Sequence, residues 1–211
     1  RNPGEVAGNG VDDDGNGFVD DVHGFDFVGL DGDPSDEDGH GTHCAGTIAA
    51  IAARGSEVQV MPVRFITADG GYTSDAVLAL EYAVAMGAQF SSNSWTGTGF
   101  SAALQSAIEA ATAAGHLFVA AAGNAGRDSD LTPEYPCCYS GVLCVGALAQ
   151  GGGLAEFSNW GAESVHLVAP GEDIVSAHSG ATGYASLSGT SMAAPHVAGG
   201  AALVWAAFGG D

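Results

Sequence analysis

The chain has 211 residues, 46% of them hydrophobic, and a net charge of −21. Its four basic residues are all arginines, so nucleic acid is excluded as a partner because phosphate binding requires a basic surface. No apolar run approaches the ~18 residues of a membrane-spanning helix, and no signal peptide is visible. The length and apolar content fit one α/β domain with a sizeable core.

Residues 1–39 form an acidic region with many glycines and little periodicity. Acids and amides alternate from residue 12 and are followed by a glycine, as in the first half of an EF-hand-type calcium loop. The second half departs from that pattern because the twelfth position is His23 rather than glutamate. We expect a structural Ca²⁺ here, and the alternative is a solvated acidic turn. The expected ligands are Asp12, Asp14, Asn16 and, to close the shell, Asp20 or Asp21.

Three of the four cysteines cluster at residues 137, 138 and 144, whereas Cys44 stands alone. Their spacing is not that of a zinc site. A Cys137–Cys144 disulfide, a Cys138–Cys144 disulfide and three unpaired buried thiols all remain open.

Helical and strand patterns alternate after residue 40, which predicts an α/β fold with a mostly parallel sheet flanked by helices. Ser74 or Asp75 is expected to cap the second helix, and Ser101 the third. Gly87 and Gly115 are expected to end these two helices. The predicted helices are an alanine-rich segment that ends at 53 and is entered by a glycine-led loop from residue 38, a segment from the cap at 74 or 75 to 86, the segment 102–114, and an alanine-rich segment from about 191 to 208. The predicted strands are 58–65, 90–92, 117–122, 142–147 and 165–169. No linker or repeat divides the chain, so 1–211 is predicted to be one domain, with the acidic region at 1–39 and a core at 40–211.

Ser191 lies among small residues at the start of the last predicted helix. Unpaired N–H groups and the helix dipole favour negative charge at such a position. The plainer interpretation is a serine that caps a core helix. In the functional interpretation Ser191 is a nucleophile, and a histidine must accept its proton.

Two further residues complete a catalytic set with Ser191. His40 lies between two glycines at a helix entrance, where its imidazole can act as a base, and Asn124 lies on a glycine-flanked turn, where its amide can stabilise an oxyanion. The plainer interpretations are a packed or capping histidine and a left-handed turn residue. A zinc pair of His40 and His43 lacks a third ligand at a matching spacing.

The blocks HGTHCAGT (40–47), AAGN (121–124) and GTSMAAPHVAG (189–199) resemble those of the subtilisin-like serine proteases, in the same order. The resemblance implies a three-layer fold and hydrolysis of polypeptides through an acyl-enzyme. It also implies secretion, and we expect a monomer. It assigns an edge strand that pairs with substrate to Gly70, Gly71 and Tyr72. It assigns the walls of a side-chain pocket to Ser94, Trp95, Thr96, Gly97, Ala121, Ala122 and Gly123.

The chain departs from this family in lacking an aspartate that ends an apolar strand before the histidine. Asp26, Asp36 and Asp38 do not follow such a strand. We therefore expect a fragment that is truncated at both ends. We expect its catalytic rate to be reduced rather than abolished, because loss of the aspartate alone lowers the rate less than loss of serine or histidine does. Thr96 replaces a glycine that is usual in the family and narrows the pocket. The alternatives are a protease-like protein that binds peptides without cutting, and a calcium-binding adhesion module, which leaves His40, Asn124 and Ser191 unexplained.

Overall fold

The computed structural model describes residues 1–52 and 58–209. The helices in these ranges are α1 (His40–Ala52), α2 (Thr73–Ala85), α3 (Ala102–Ala113) and α4 (Thr190–Ala207). The strands are β1 (Phe25–Asp26), β2 (Val63–Arg64), β3 (Ile66–Thr67), β4 (Gly70–Gly71), β5 (Phe90–Asn93), β6 (Leu117–Ala121), β7 (Val142–Leu148), β8 (Leu167–Pro170), β9 (Ile174–Ala177) and β10 (Tyr184–Leu187). Position 53 of the first predicted helix lies outside the described residues.

A four-stranded parallel sheet in the order β5-β6-β7-β8 forms the centre of the fold. Alternate residues of β6 point to opposite faces, as in any strand. Phe118 packs with α2 and α3 on one face, whereas Val119 packs with α4 and with Ile48 of α1 on the other. Two helical layers therefore enclose the sheet, and the predicted α/β fold is confirmed.

In the described part of the chain, three two-stranded sheets lie outside the central one. β1 pairs with β2 in parallel, β3 pairs with β4 antiparallel, and β9 with β10 forms an antiparallel hairpin. None of the helices in the described ranges is both long and apolar enough to cross a bilayer.

The ends of the helices confirm one predicted cap and correct another. Ser101 accepts a hydrogen bond from the N–H of Leu104 at 3.3 Å and caps α3 as predicted. Neither Ser74 nor Asp75 caps α2, since the cap position is Tyr72, without a side-chain cap. Ser74 and Asp75 lie inside the first turn, where the serine hydroxyl donates to the aspartate at 3.0 Å.

Two predicted strands have different bounds. The apolar segment 58–65 is not one strand, because only Val63–Arg64 is extended and paired there, and Ile66–Thr67 forms a separate strand. Pro62 precedes the paired part and has no N–H to donate to a ladder. The strand predicted at 165–169 begins two residues later, because the N–H of Val165 bonds back to Gly161 in a turn.

The cysteine alternatives are resolved in favour of a disulfide between Cys137 and Cys144, whose Cα atoms are 4.9 Å apart. Cys44 and Cys138 are free. The disulfide ties the start of β7 to the loop before it.

Candidate active site

Helices α1 and α4 lie side by side and run in the same direction. At their starts, the Sγ of Cys44 donates to the carbonyl oxygen of Ser191 at 3.4 Å. Further along, the α-carbon of Gly199 in α4 faces Ile48 and Ile51 of α1. Cys44 and His40 share one face of α1 because they are four residues apart. The two helix N-termini that carry His40 and Ser191 therefore lie at the same end of the packed pair.

Ser191 is in the first turn of α4 and is half-buried. Its hydroxyl donates to the carbonyl oxygen of Ser94 at 3.3 Å, and the hydroxyl of Ser94 donates back to the carbonyl of Ser191 at 2.8 Å. This reciprocal pair joins the start of α4 to the segment that follows β5. The N–H groups of a first helical turn have no partner within the helix, so the Ser191 N–H is available to a ligand.

Asn124 follows β6 on a turn in which Gly123 has a φ of 106°. The Asn124 side-chain oxygen accepts two hydrogen bonds, from the N–H of Thr190 at 2.8 Å and from its hydroxyl at 2.9 Å. The side-chain NH₂ of Asn124 donates to no group in residues 1–52 and 58–209. A Cβ built on Gly189 would lie 3.4 Å from this nitrogen and 3.7 Å from the backbone nitrogen of Ser191. The side-chain NH₂ of Asn124 and the N–H of Ser191 therefore lie near the same position, although they belong to different elements.

The buried side chain of Asn159 holds the Asn124 turn from the other side. Its oxygen accepts from the N–H groups of Ala125 and Arg127 at 3.0 and 3.3 Å, and its NH₂ donates to the carbonyl of Ala122 at 3.0 Å. Hydrogen bonds to Asn159 therefore hold the chain in place on both sides of Asn124.

His40 is half-buried at the first position of α1. Burial lowers the pKa of its imidazole below the ordinary 6.5, although the charges of Asp38 and Asp36 act in the opposite direction. A lowered pKa keeps the ring neutral at pH 7, as a general base requires. Within residues 1–52 and 58–209, no hydrogen bond joins the His40 ring to Ser191 or to a carboxylate.

Asp36 and Asp26 are engaged away from the His40 ring, whereas Asp38 accepts the backbone N–H of His40 at 3.3 Å. The carboxylate of Asp36 accepts hydrogen bonds from the N–H groups of Asp38, Gly39 and Thr42 and from the Thr42 hydroxyl, at 2.7 to 3.0 Å. Asp36 therefore caps the entrance to α1. Asp26 is buried and forms an ion pair with Arg64 at 2.7 Å.

His43 is fully buried, and its Nε2 lies 3.0 Å and 3.2 Å from the carbonyl oxygens of Ile174 and Ala185. The ring connects α1 to the β9–β10 hairpin, which is the packing role of the plainer interpretation.

The residues assigned to substrate binding form two groups, which are the walls of the expected pocket and the edge strand. Trp95 is half-buried edge-on against Phe65, whereas Thr96 and Gly97 are exposed. The other wall of the expected pocket is buried and comprises Ala121, Ala122 and Gly123. Gly70 and Gly71 form β4, which is exposed and pairs with β3, and Tyr72 is 77% exposed.

The acidic region brings three carboxylates together and places Asn16 beside two of them, since the Asn16 N–H donates to Asp12 and to Asp14 at 3.1 Å. Carboxylate oxygens of Asp12 and Asp14 lie within 4.8 Å of each other and of Glu5, which sequence reasoning did not include. Hydrogen bonds from Gly17 and neighbouring N–H groups lower the pKa of Asp12, despite the opposing effect of burial.

The other three predicted ligands form hydrogen bonds within the protein, as Glu5, Asp12 and Asp14 also do. Asp20 accepts from the N–H groups of residues 8, 9 and 10 at 2.7 to 3.1 Å. Asp21 is buried and accepts from the Tyr82 hydroxyl at 2.9 Å. The NH₂ of Asn16 donates to Asp21 at 3.0 Å.

Sequence reasoning missed Glu5, Thr190 and the ion pair that Arg127 forms with the buried Glu134. Thr190 stands next to the candidate nucleophile, and the Gly-Thr-Ser run was the only signal available for it. Nothing in the local pattern marks Glu5 or Glu134.

Residues 6–210 match the Subtilase family. Thermitase of Thermoactinomyces vulgaris is 42% identical over 191 residues, which cover 87% of this chain and 67% of thermitase. Subtilisin BL of Lederbergia lenta is 44% identical over 182 residues, which cover 82% of this chain and 66% of that enzyme. A cold-adapted subtilisin-like serine proteinase of known crystal structure superposes with a TM-score of 0.78 at 39% identity, covering 86% of this chain and 66% of the other. The chain therefore belongs to the subtilase family.

Proposed function

We propose that this protein is a serine endopeptidase that hydrolyses peptide bonds through an acyl-enzyme. In this reaction Ser191 Oγ attacks the carbonyl carbon of the scissile bond while the His40 ring takes the hydroxyl proton. The ring then gives that proton to the leaving amine, which departs and leaves an ester on Ser191. Water attacks the ester with the same ring as base, which releases the acid and restores the serine.

The negative charge of the tetrahedral intermediate falls on the former carbonyl oxygen. The side-chain NH₂ of Asn124 and the N–H of Ser191 are the proposed donors to this oxyanion. Thr190 donates two hydrogen bonds to the side-chain oxygen of Asn124, so the amide is already oriented before substrate binds. Such fixed donors stabilise the transition state without reorganisation.

The observation that supports this proposal most is the pair of donors beside one point at the start of α4. The nitrogen atoms of Asn124 and Ser191 lie within 4 Å of the same position, next to the candidate nucleophile. A serine that only capped a core helix would not need a second, independently anchored amide there.

A second candidate function is peptide binding without cleavage. It is favoured by one observation, namely that no carboxylate in the described residues hydrogen-bonds to the His40 ring. An unoriented imidazole reduces turnover, yet the oxyanion donors and serine retain part of the rate in triad variants.

The test is labelling of the full-length protein with a fluorophosphonate, followed by mass spectrometry of the modified peptide. We expect labelling at Ser191 in the wild type and no labelling in Ser191→Ala. The rate of casein hydrolysis should fall about a millionfold in the same variant. Ser188→Ala, an exposed serine three residues away, is the matched control. Absence of label on wild-type Ser191 would contradict the endopeptidase and leave peptide binding.

We further propose that the protein acts on polypeptides outside the cytoplasm, as a monomer stabilised by calcium. The Cys137–Cys144 disulfide is consistent with an oxidising compartment. Three carboxylates within 4.8 Å repel one another unless a cation lies among them. Their hard oxygen atoms suit Ca²⁺, so Glu5, Asp12 and Asp14 would hold the ion and it would stabilise the acidic region.

A further inference from the structure

Glu134 is a buried carboxylate that the proposed reaction does not use. It is 6% exposed, and one of its oxygens, Oε1, forms an ion pair with the Nη2 of Arg127. Its second oxygen, Oε2, accepts no hydrogen bond from any residue in the ranges 1–52 and 58–209. Oε2 is not itself fully buried, so it reaches solvent and can accept a hydrogen bond from a ligand.

The position of Glu134 connects the two segments that flank the expected substrate pocket. The next residue, Tyr135, exchanges two backbone hydrogen bonds with Gly97, both 2.8 Å long. The carboxylate itself faces Gly123, because a Cβ built on that glycine would collide with Glu134 Oε2 and with Asn159 Nδ2. The free oxygen therefore lies between the segment after β5 and the segment after β6.

We propose that Glu134 determines side-chain specificity, and that the pocket between residues 94–97 and 121–123 accepts the cationic side chain of lysine or arginine immediately before the scissile bond. This inference rests on the proposed endopeptidase function and adds the substrate class. Oε2 is the acceptor for the ammonium or guanidinium group of the substrate.

The charge and burial of the site favour a cation over other side chains. An apolar side chain would remove water from Oε2 without replacing its hydrogen bonds, and an acidic side chain would be repelled. The ion pair between Glu134 and a cation is strengthened by the low exposure of the carboxylate. The net charge of −21 also draws cationic peptides towards the surface.

Arg127 supports the carboxylate without occupying both oxygens. Its side chain is 36% exposed, whereas that of Glu134 is 8% exposed, and the Nε of Arg127 is buried without a hydrogen-bond partner in the described ranges. Arg127 holds Oε1 and thereby leaves Oε2 directed at Gly123. This geometry leaves one oxygen of the carboxylate for a ligand.

The experiment compares the labelling rates of Ser191 by three peptidyl phosphonates that differ only in the residue next to phosphorus, which is lysine, leucine or glutamate. In the full-length protein we expect the lysine reagent to react fastest and the glutamate reagent slowest. Glu134→Gln should lower the lysine rate about tenfold or more and change the leucine rate by less than about twofold. Glu134→Asp should keep the preference for lysine, because it keeps the charge.

Glu81→Gln is the matched control, since Glu81 is an exposed acid on α2 and its loss changes the net charge equally. An unchanged ratio of lysine to leucine rates in Glu134→Gln overturns the inference, and a lowered melting temperature with that unchanged ratio assigns the ion pair to stability alone. A fluorophosphonate run in parallel separates the two proposals. If it labels Ser191 and the lysine preference is absent, only the specificity inference fails; if it does not label wild-type Ser191, the endopeptidase proposal fails too.

Discussion

Thr190 donates both its backbone N–H and its hydroxyl to the side-chain oxygen of Asn124, at 2.8 and 2.9 Å. The same hydroxyl accepts the N–H of Gly123 at 3.0 Å. Thr190 is fully buried, so this network connects the loop after β6 to the start of α4. The orientation of the Asn124 amide therefore depends on a neighbour of the candidate nucleophile.

We predict that Thr190→Val lowers kcat about tenfold and leaves KM nearly unchanged, because a misaligned donor weakens only transition-state binding. Asn124→Ala should lower kcat about 100- to 1,000-fold. Steady-state kinetics of both single variants and of the double variant measure the coupling. If Thr190 acts through Asn124, the double variant is no slower than Asn124→Ala. Full additivity would indicate an independent, structural role, and Thr132→Val, an exposed threonine, serves as control.

The free thiol of Cys44 lies next to the candidate nucleophile, where its Sγ contacts the Ser191 carbonyl. Burial raises the pKa of this thiol above its ordinary 9.0, so alkylation should be slow at pH 7 and accelerate as the pH rises. We predict that modification by a methanethiosulfonate blocks fluorophosphonate labelling of Ser191. Cys44→Ala should be resistant and Cys138→Ala still sensitive. Full labelling of a protein modified at Cys44 would contradict the proximity argument.

The pH dependence of activity should reflect the lowered pKa of His40. Burial disfavours the imidazolium, so the neutral base persists below the ordinary pKa of 6.5 and the acidic limb of kcat/KM should have its midpoint below that value. Asp38 raises the pKa of His40. Asp38→Asn should therefore move the midpoint to still lower pH. A shift to higher pH in this variant would refute the electrostatic assignment.

Stability in acid should depend on Asp36. Burial raises its pKa, but hydrogen bonds from the Thr42 hydroxyl and from the N–H groups at the entrance to α1 prevail and lower it to about 2. A folded-state pKa below the ordinary 3.8 means that the stabilisation is present above about pH 4 and is lost as the pH falls towards 2. Asp36→Ala should lower the free energy of unfolding by about 1–2 kcal/mol at pH 7.

Urea unfolding at pH 7 and at pH 2.5 measures this contribution. The difference between wild type and Asp36→Ala should shrink at the lower pH, whereas Asp69→Asn, an exposed aspartate after β3, should change stability little at either pH. A difference that is equal at both pH values would mean that the carboxylate charge does not contribute.

Chelation tests the proposed calcium ion. If Glu5, Asp12 and Asp14 hold Ca²⁺, then EDTA should lower the melting temperature, and saturating Ca²⁺ at about 100 times Kd should add about 2.7 kcal/mol. Asp12→Asn should remove most of this response, and Glu156→Gln, an exposed acid elsewhere, should retain it. An identical melting temperature with and without EDTA would contradict the calcium proposal and mean that the acidic region is a solvated turn.

Local sequence patterns predicted those elements whose determinants lie within a few residues. The Ser101 cap, α3 and the buried strand β6 were predicted correctly, because capping and continuous apolar runs are local signals. Segment 58–65 was predicted wrongly, since its apolar composition did not show which residues find a partner strand. The cap of α2 was wrong for a related reason: capping residues were present, but the cap position is Tyr72, two residues before Ser74.

The sequence by itself determined the family, the α/β class and the identity of His40, Asn124 and Ser191 as candidates, because each is carried by a contiguous motif. Only the tertiary structure decided which distant groups meet: Thr190 with Asn124, Glu5 with Asp12 and Asp14, and Glu134 with Arg127 and Gly123. These contacts join residues from separate elements or loops, and their geometry depends on how strands and helices pack. No local pattern contains that information.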